Sequence, residues 1–242
     1  EKMGYNYANG KVEIPPWRLD FLHEVDIIED IAIAYGYDNL IPEIPNVFTP
    51  AEESKSGRIK RKISEILLGL GFTETSSYHL IKVEEKDKIK SDNLIELKDS
   101  KTEYKYLRPN LLIPALRNVK ENKDADYPQK LFEIGKVFTK EKTISEAGVN
   151  EKENLVIYKV PSGFTEIKQI SDYLAKVLDL NISIKESIHP YLIEGRSALV
   201  ILNNKTIGYM GEVHPKTLQE WNIKMPLSVL EISLEEIYNH FN

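Results

Sequence analysis

The sequence predicts an α+β fold, an antiparallel sheet flanked by helices, on three observations. Short apolar stretches bounded by turn residues outnumber the segments with helical spacing. Asn203-Asn204 separates two such stretches, 198–202 and 206–213, and asparagine tolerates the positive φ of a two-residue hairpin turn. Strand and helix patterns do not alternate regularly, as parallel βαβ units would require, and no internal repeat is found.

Taken in order, Val12, Glu13 and Ile14 read as a short strand stopped by Pro15-Pro16. Asp20 has the chemistry of an N-cap, and the run after it has the composition of a helix ending near Tyr35, with Gly36 at C′. Pro42, Pro45 and Pro50 make 40–50 an extended linker, and a boundary there separates a domain of residues 1–41 from one of 42–242. Ile59, Ile63, Ile66, Leu67 and Leu70 lie at helical spacing, closed by Gly69 and Gly71. Residues 72–79 alternate as a strand, and 93–97 read as a short one. A short helix is expected at 111–119, a strand with Gly135 in its middle at 131–138, and another at 155–160. Phe164, Ile167, Ile170, Leu174, Val177 and Leu178 mark a helix of about four turns. Strands at 182–188, 198–202 and 206–213, a short helix at 217–221 and a strand at 227–232 complete the series.

A chain of 242 residues can bury a full core. No apolar run approaches the ~18 residues of a membrane span, and no secretory signal is recognised. The chain begins at Glu1 and reads as a portion of a longer protein. The lack of cysteine excludes disulfides, thiolate metal sites and cysteine nucleophiles, and fits a cytoplasmic setting. A net charge of −6 argues against a whole-surface grip on nucleic acid but leaves room for a local basic patch.

Motifs for common chemistries are missing. There is no glycine-rich phosphate loop, no Gly-x-Ser-x-Gly elbow and no His-x-x-x-His pair. His214, before Pro215, reads as closing a strand-to-helix turn. Arg58, Lys60, Arg61 and Lys62 read as a solvated helix face in preference to an RNA-contacting patch. Asp124 and Asp126 read as solvated loop residues. Arg196 is open to two readings, an anion contact or a structural ion pair.

The acidic helix is the most informative segment. At about 100° per residue, Asp26, Glu29 and Asp30 share one sector, into which Leu22 and Ile33 also project. Phe21, Val25, Ile28, Ala32 and Tyr35 occupy the opposite face. A helix apolar nearly all round is expected to be buried on both sides. Carboxylates there are costly unless a cation or partner neutralises them, so the face is expected to meet a hard metal ion or another protein. The alternative is acids placed near a helix N-terminus, where the macrodipole favours them.

The segments Ile14-Pro15-Pro16-Trp17-Arg18-Leu19-Asp20, Asp26-Ile27-Ile28-Glu29-Asp30 and Ile33-Ala34-Tyr35-Gly36-Tyr37 resemble the beta subunit of phenylalanyl-tRNA synthetase, the archaeal and eukaryotic type more closely. Residues 107–112, 131–138, 194–198 and 208–215 agree with the same family in the same order. The resemblance implies that 1–41 is the second half of a small winged-helix-like domain carrying the acidic helix. It implies that 42–242 is a catalytic-like module, a degenerate class II synthetase core. The family's editing region lies before these blocks and is absent from this sequence, so no editing is expected.

The resemblance further implies a scaffold for a catalytic alpha subunit, in an assembly of two alpha and two beta chains that attaches phenylalanine to its tRNA with ATP. Asp20, Asp26, Glu29 and Asp30 match the family's magnesium site, shared with alpha, and Leu22 and Ile33 would pack on that partner. Class II sites grip ATP with an arginine in a Phe-Arg-x-Glu strand and a second in a glycine-rich motif. Here Arg108 is followed by Pro109 and Asn110, and Arg196 lacks the glycine-rich lead-in, so no catalytic residue is expected. The rivals are an RNA-binding module acting without alpha, through the basic helix, and an independent adenylating enzyme.

Overall fold

The computed structural model describes residues 3–47, 49–90, 93–141 and 148–241. The chain divides into two compact units, Glu1–Glu52 and Glu53–Asn242. Phe48, in the proline-rich segment, lies outside the described residues.

The first unit opens with a hairpin of β1 (Asn6–Ala8) and β2 (Lys11–Glu13), paired antiparallel. Its turn is Asn9-Gly10, both at positive φ (53° and 76°), the conformation a two-residue hairpin loop needs. Helix α1 (Glu24–Tyr35) follows. Its N-cap is His23, not Asp20, which precedes the helix. Asp26 at N3 completes a reciprocal capping box, so the cap falls where that reciprocal pair can form. Gly36, at φ 94°, closes the helix by donating its N–H to the carbonyls of Ala32 and Ile33. After a 3₁₀ turn at Tyr37–Asn39, the described residues up to 54 form no helix or strand.

Burial of α1 on both sides is not what this unit provides: α1 has no buried residue. The physical reason is supply. A hairpin of two three-residue strands and extended loops offer little surface to pack on, and the apolar packing gathers around Tyr5, which meets Phe21 edge-to-face.

The second unit starts with α2 (Lys55–Gly69), N-capped by Ser54, which accepts from the Gly57 N–H. In chain order there follow β3 (Thr73–Glu74), β4 (Leu80–Lys82), β5 (Tyr104–Leu107), α3 (Leu112–Glu121), β6 (Gln129–Lys140) and β7 (Val149–Val160). Then come α4 (Phe164–Val177), β8 (Ile182–Glu186), β9 (Leu192–Leu202), β10 (Lys205–Val213), α5 (Pro215–Glu220), β11 (Ser228–Ser233) and α6 (Glu235–His240).

The main sheet has the order β3-β6-β7-β11-β10-β9-β8. Every pairing is antiparallel except β3 with β6. Asn203 and Asn204 form the β9–β10 turn at φ 51° and 64°. The expected strand at 72–79 shrinks to two residues, and that at 93–97 to a single bridge, Glu96 to Tyr106. β4 and β5 pair with each other apart from the main sheet.

Alternation along the central strands sends side chains to both faces. Leu155, Ile157, Leu230 and Ile232 meet Ile63 and Leu67 of α2, Ile167 and Leu174 of α4 and Ile237 of α6. Val156, Tyr158 and Val229 meet Ile113 and Leu116 of α3, Leu218 of α5 and Trp221. Both faces of the sheet's centre are therefore filled with apolar side chains. Among the described residues no helix is long and apolar enough to cross a membrane.

Candidate functional site

In the first unit the acids have partners of their own. Arg18 grips Asp20 as a fork, Nε to Oδ1 at 2.9 Å and Nη2 to Oδ2 at 2.8 Å. Its Nη1 donates to Asp30 Oδ2 at 3.0 Å, and the Tyr5 hydroxyl donates to the same oxygen. Asp26 accepts from the N–H groups of Leu22 and His23, both at 2.8 Å, and so caps its own helix. Glu29 is exposed and makes no hydrogen bond or ion pair among the described residues.

The electrostatics follow these contacts. The Arg18 hydrogen bonds hold the Asp20 carboxyl below its ordinary value. Backbone N–H groups, first that of His23, do the same for Asp26, and the Tyr5 hydroxyl followed by Arg18 for Asp30. Leu22 is 92% exposed and Ile33 49%, so the two expected contact residues are open.

The four acids do not fit a resident magnesium as they stand. Asp20 and Asp30 share a guanidinium, Asp26 is engaged by backbone, and Glu29 stands alone. Among the described residues no group of three or more carboxylates or histidines is arranged to hold a metal ion.

In the second unit, Arg108 is 1% exposed and lies under the surface. Its Nη1 donates to Glu133 Oε1 at 2.7 Å and to the Ser77 carbonyl at 3.2 Å, and its Nε to the Lys136 carbonyl at 2.7 Å. It passes flat over Gly135, where an added Cβ would stand 2.2 Å from Nη2, so the glycine in mid-strand makes room for the guanidinium. The acidic partner missing from the local motif comes from β6. Arg196 pairs with Glu212 (Nη1 to Oε2, 2.7 Å), and Glu212 also accepts from the Phe164 N–H at the start of α4. Arg196 is thus placed in a structural ion pair.

Of the remaining residues singled out from sequence, His214, Lys60 and Arg61 have structural partners. His214 caps α5, its Nδ1 accepting from the Lys216 N–H at 3.1 Å. In the basic run, Lys60 pairs with Glu153 and Arg61 with Glu53 and Glu65. Asp124 and Asp126 are exposed.

Besides Glu133, two further buried acids were not anticipated. Glu231, on β11, accepts from the Leu111 and Leu112 N–H groups (2.9 and 3.2 Å), Asn154 Nδ2 (2.8 Å) and the Tyr209 hydroxyl (2.7 Å). It takes up two of the free N–H groups at the start of α3, beside Asn110, whose Oδ1 accepts from the Ile113 N–H at 3.2 Å; Leu111 at the N-cap has no capping side chain. Burial pushes its carboxyl above the usual range, against the pull of these donors. Glu85 receives two hydrogen bonds from Arg117, at 2.6 and 2.7 Å. The available signal for Glu231 is a charge within the apolar run Val229-Leu230-Glu231-Ile232.

A mostly antiparallel sheet between helices, with Arg108 and Arg196 each paired to a glutamate, is consistent with a synthetase-like module. The fold is similar to that of pyrrolysyl-tRNA synthetase from Desulfitobacterium hafniense: TM-score 0.61, 16% identity, 74% of this chain and 67% of that one. A second structure of that organism's enzyme gives 0.59 at 20% identity, covering 74% and 64%. The phenylalanyl tRNA synthetase beta chain CLM domain matches residues 41–234, and the tRNA synthetase B5 domain matches residues 1–37. The chain belongs to the phenylalanyl-tRNA synthetase beta chain family.

Among its relatives, the phenylalanine–tRNA ligase beta subunit of Archaeoglobus fulgidus is 35% identical over 95% of this chain and 42% of its own length. That of Borrelia hermsii is 36% identical over 93% and 41%, and that of Aeropyrum pernix 34% over 93% and 41%. The chain therefore spans about two fifths of the length of the relatives it matches.

Proposed function

We propose that this chain is a non-catalytic part of a phenylalanine–tRNA ligase beta subunit, which scaffolds a catalytic alpha subunit during the ATP-dependent attachment of phenylalanine to its tRNA. In this reading residues 1–41 are the second half of a winged-helix-like domain that carries the acidic helix. Residues 42–242 are the catalytic-like module, and the complex, with two copies of each subunit, works in the cytoplasm. The observation that carries the non-catalytic assignment is Arg108, buried against Glu133. An arginine that neutralises phosphate in adenylation must face the nucleotide, and this one faces a carboxylate.

The contact with alpha is assigned to the exposed face around Leu22 and Ile33. Asp20, Asp26, Glu29 and Asp30 border that face, and their charge suits cationic side chains of a partner. The same four acids are the proposed share of a magnesium site completed by alpha. In this chain alone their arrangement does not fit the ion.

Calorimetric titration of the chain with the alpha subunit, paired with phenylalanine-dependent pyrophosphate exchange by the chain alone, tests this function. The reading expects binding and no exchange. Exchange by the isolated chain would make it an adenylating enzyme, and absence of binding would remove the scaffold role.

A further inference from the structure

Asp20 and Asp30 come from different places in the first unit, one from the loop before α1 and the other from the helix itself. Arg18 brings them to one point. Three of its five N–H donors are spent on the two carboxylates, at 2.8 to 3.0 Å. The guanidinium carbon sits 4.5 Å from the centre of the Phe21 ring, which supports the cation from one side. Tyr5, itself buried, fixes Asp30 from another. Charge neutralisation, fork geometry and aromatic support are the features of a built cation position, and the cation is the chain's own.

A divalent ion bound by Asp20 and Asp30 would need the oxygens that the guanidinium holds, and would meet a fixed positive charge within a few ångströms. At such a separation the two cations repel strongly enough to exclude one another. We propose that Arg18 is the built-in counter-cation of this cluster: its guanidinium competes with a divalent ion for Asp20 and Asp30, and while it holds them the two acids do not fit the metal. The inference concerns the first unit alone and does not depend on whether a second subunit docks on α1.

Manganese alone, added to the full chain and followed by the electron paramagnetic resonance signal of the free ion, is the direct probe. Arg18→Met should bind one manganese at least about tenfold more tightly than the unaltered chain, the size expected when a neighbouring positive charge is removed at a partly exposed site. Adding Asp30→Asn to that variant should abolish the gain. Equal affinity in the two chains, or no gain in an Arg18→Met variant whose circular dichroism shows α1 intact, would overturn the proposal. Should the variant lose its helix, the unaltered chain decides by nuclear magnetic resonance during a magnesium titration. The Arg18 Nε–H signal is expected to move together with the Asp20 and Asp30 carboxyl signals, or for all three to stay. Carboxyl shifts with an unmoved Arg18 signal would refute the competition.

Discussion

Helices α1 and α4 are of similar length, yet they do opposite things with their apolar side chains. α4 buries Ile167, Ser171, Leu174 and Ala175 on one side and keeps Lys168 and Asp172 as a solvent-facing ion pair on the other. α1 carries four isoleucines in twelve residues and buries none of them. Segregation of polar from apolar residues lets a helix satisfy itself within one unit. A helix apolar nearly all round has no solvent side, and the unit holding α1 has too little surface to cover it. The second unit closes over its own faces, whereas the first leaves a helix for something else to cover. That contrast is the physical ground for assigning α1 to a protein contact and the sheet to a scaffold.

The largest test of the contrast lies inside the sheet unit. Arg108→Ala leaves Glu133 buried without its cation, so urea unfolding should show a loss of about 3–5 kcal/mol. A loss below about 1 kcal/mol would mean that the pair is not buried in solution, and the argument against nucleotide binding would fall with it.

A second effect should appear on acidification. Burial pushes the His189 imidazole down from 6.5 to about 4, and the ring stacks on Tyr209 at 3.9 Å between centroids. As pH falls from 6.5 towards 4, the unfolded chain takes up a proton that the folded chain refuses, so stability falls across that window, by up to about 3 kcal/mol. His189→Phe keeps the stack and should flatten this part of the pH–stability curve; an unchanged slope would assign the acid sensitivity to other groups.

Gly135→Ala comes next. Its methyl would have to displace the Arg108 guanidinium, and a loss of about 1–3 kcal/mol is expected from thermal unfolding. A neutral outcome would show that Arg108 can move aside. The smallest effect belongs to the first unit: the double change Leu22→Ser, Ile33→Ser should alter the chain's own stability by no more than about 0.5 kcal/mol, because both side chains are open. A loss several times larger would mean that the chain covers α1 itself.

Strong periodicity made α2, α4 and the β9–β10 hairpin legible, because their burial pattern is local. The β1–β2 hairpin also left a signal in Asn9-Gly10. Its strands are three residues long and mostly exposed, so no alternation accompanies the turn. β4 and β5 escaped because each is short and gains its identity from the other, more than twenty residues away. The acidic sector of α1 was readable from a helical wheel, but its state was not. Arg18 lies outside the helix, and only the fold brings it between Asp20 and Asp30. For the same reason the counter-ion of Arg108 could not be seen, since Glu133 stands 25 residues along the chain on another strand.

Hydrogen–deuterium exchange of the chain, alone and saturated with the alpha subunit, tests the contrast between the two units most directly. The sheet strands β6, β7, β10 and β11 should be strongly protected in both states, and α1 should gain protection only with the partner. Protection of α1 in the chain alone, or a partner footprint that falls on the sheet and spares α1, would contradict the assignment of the open helix to the contact.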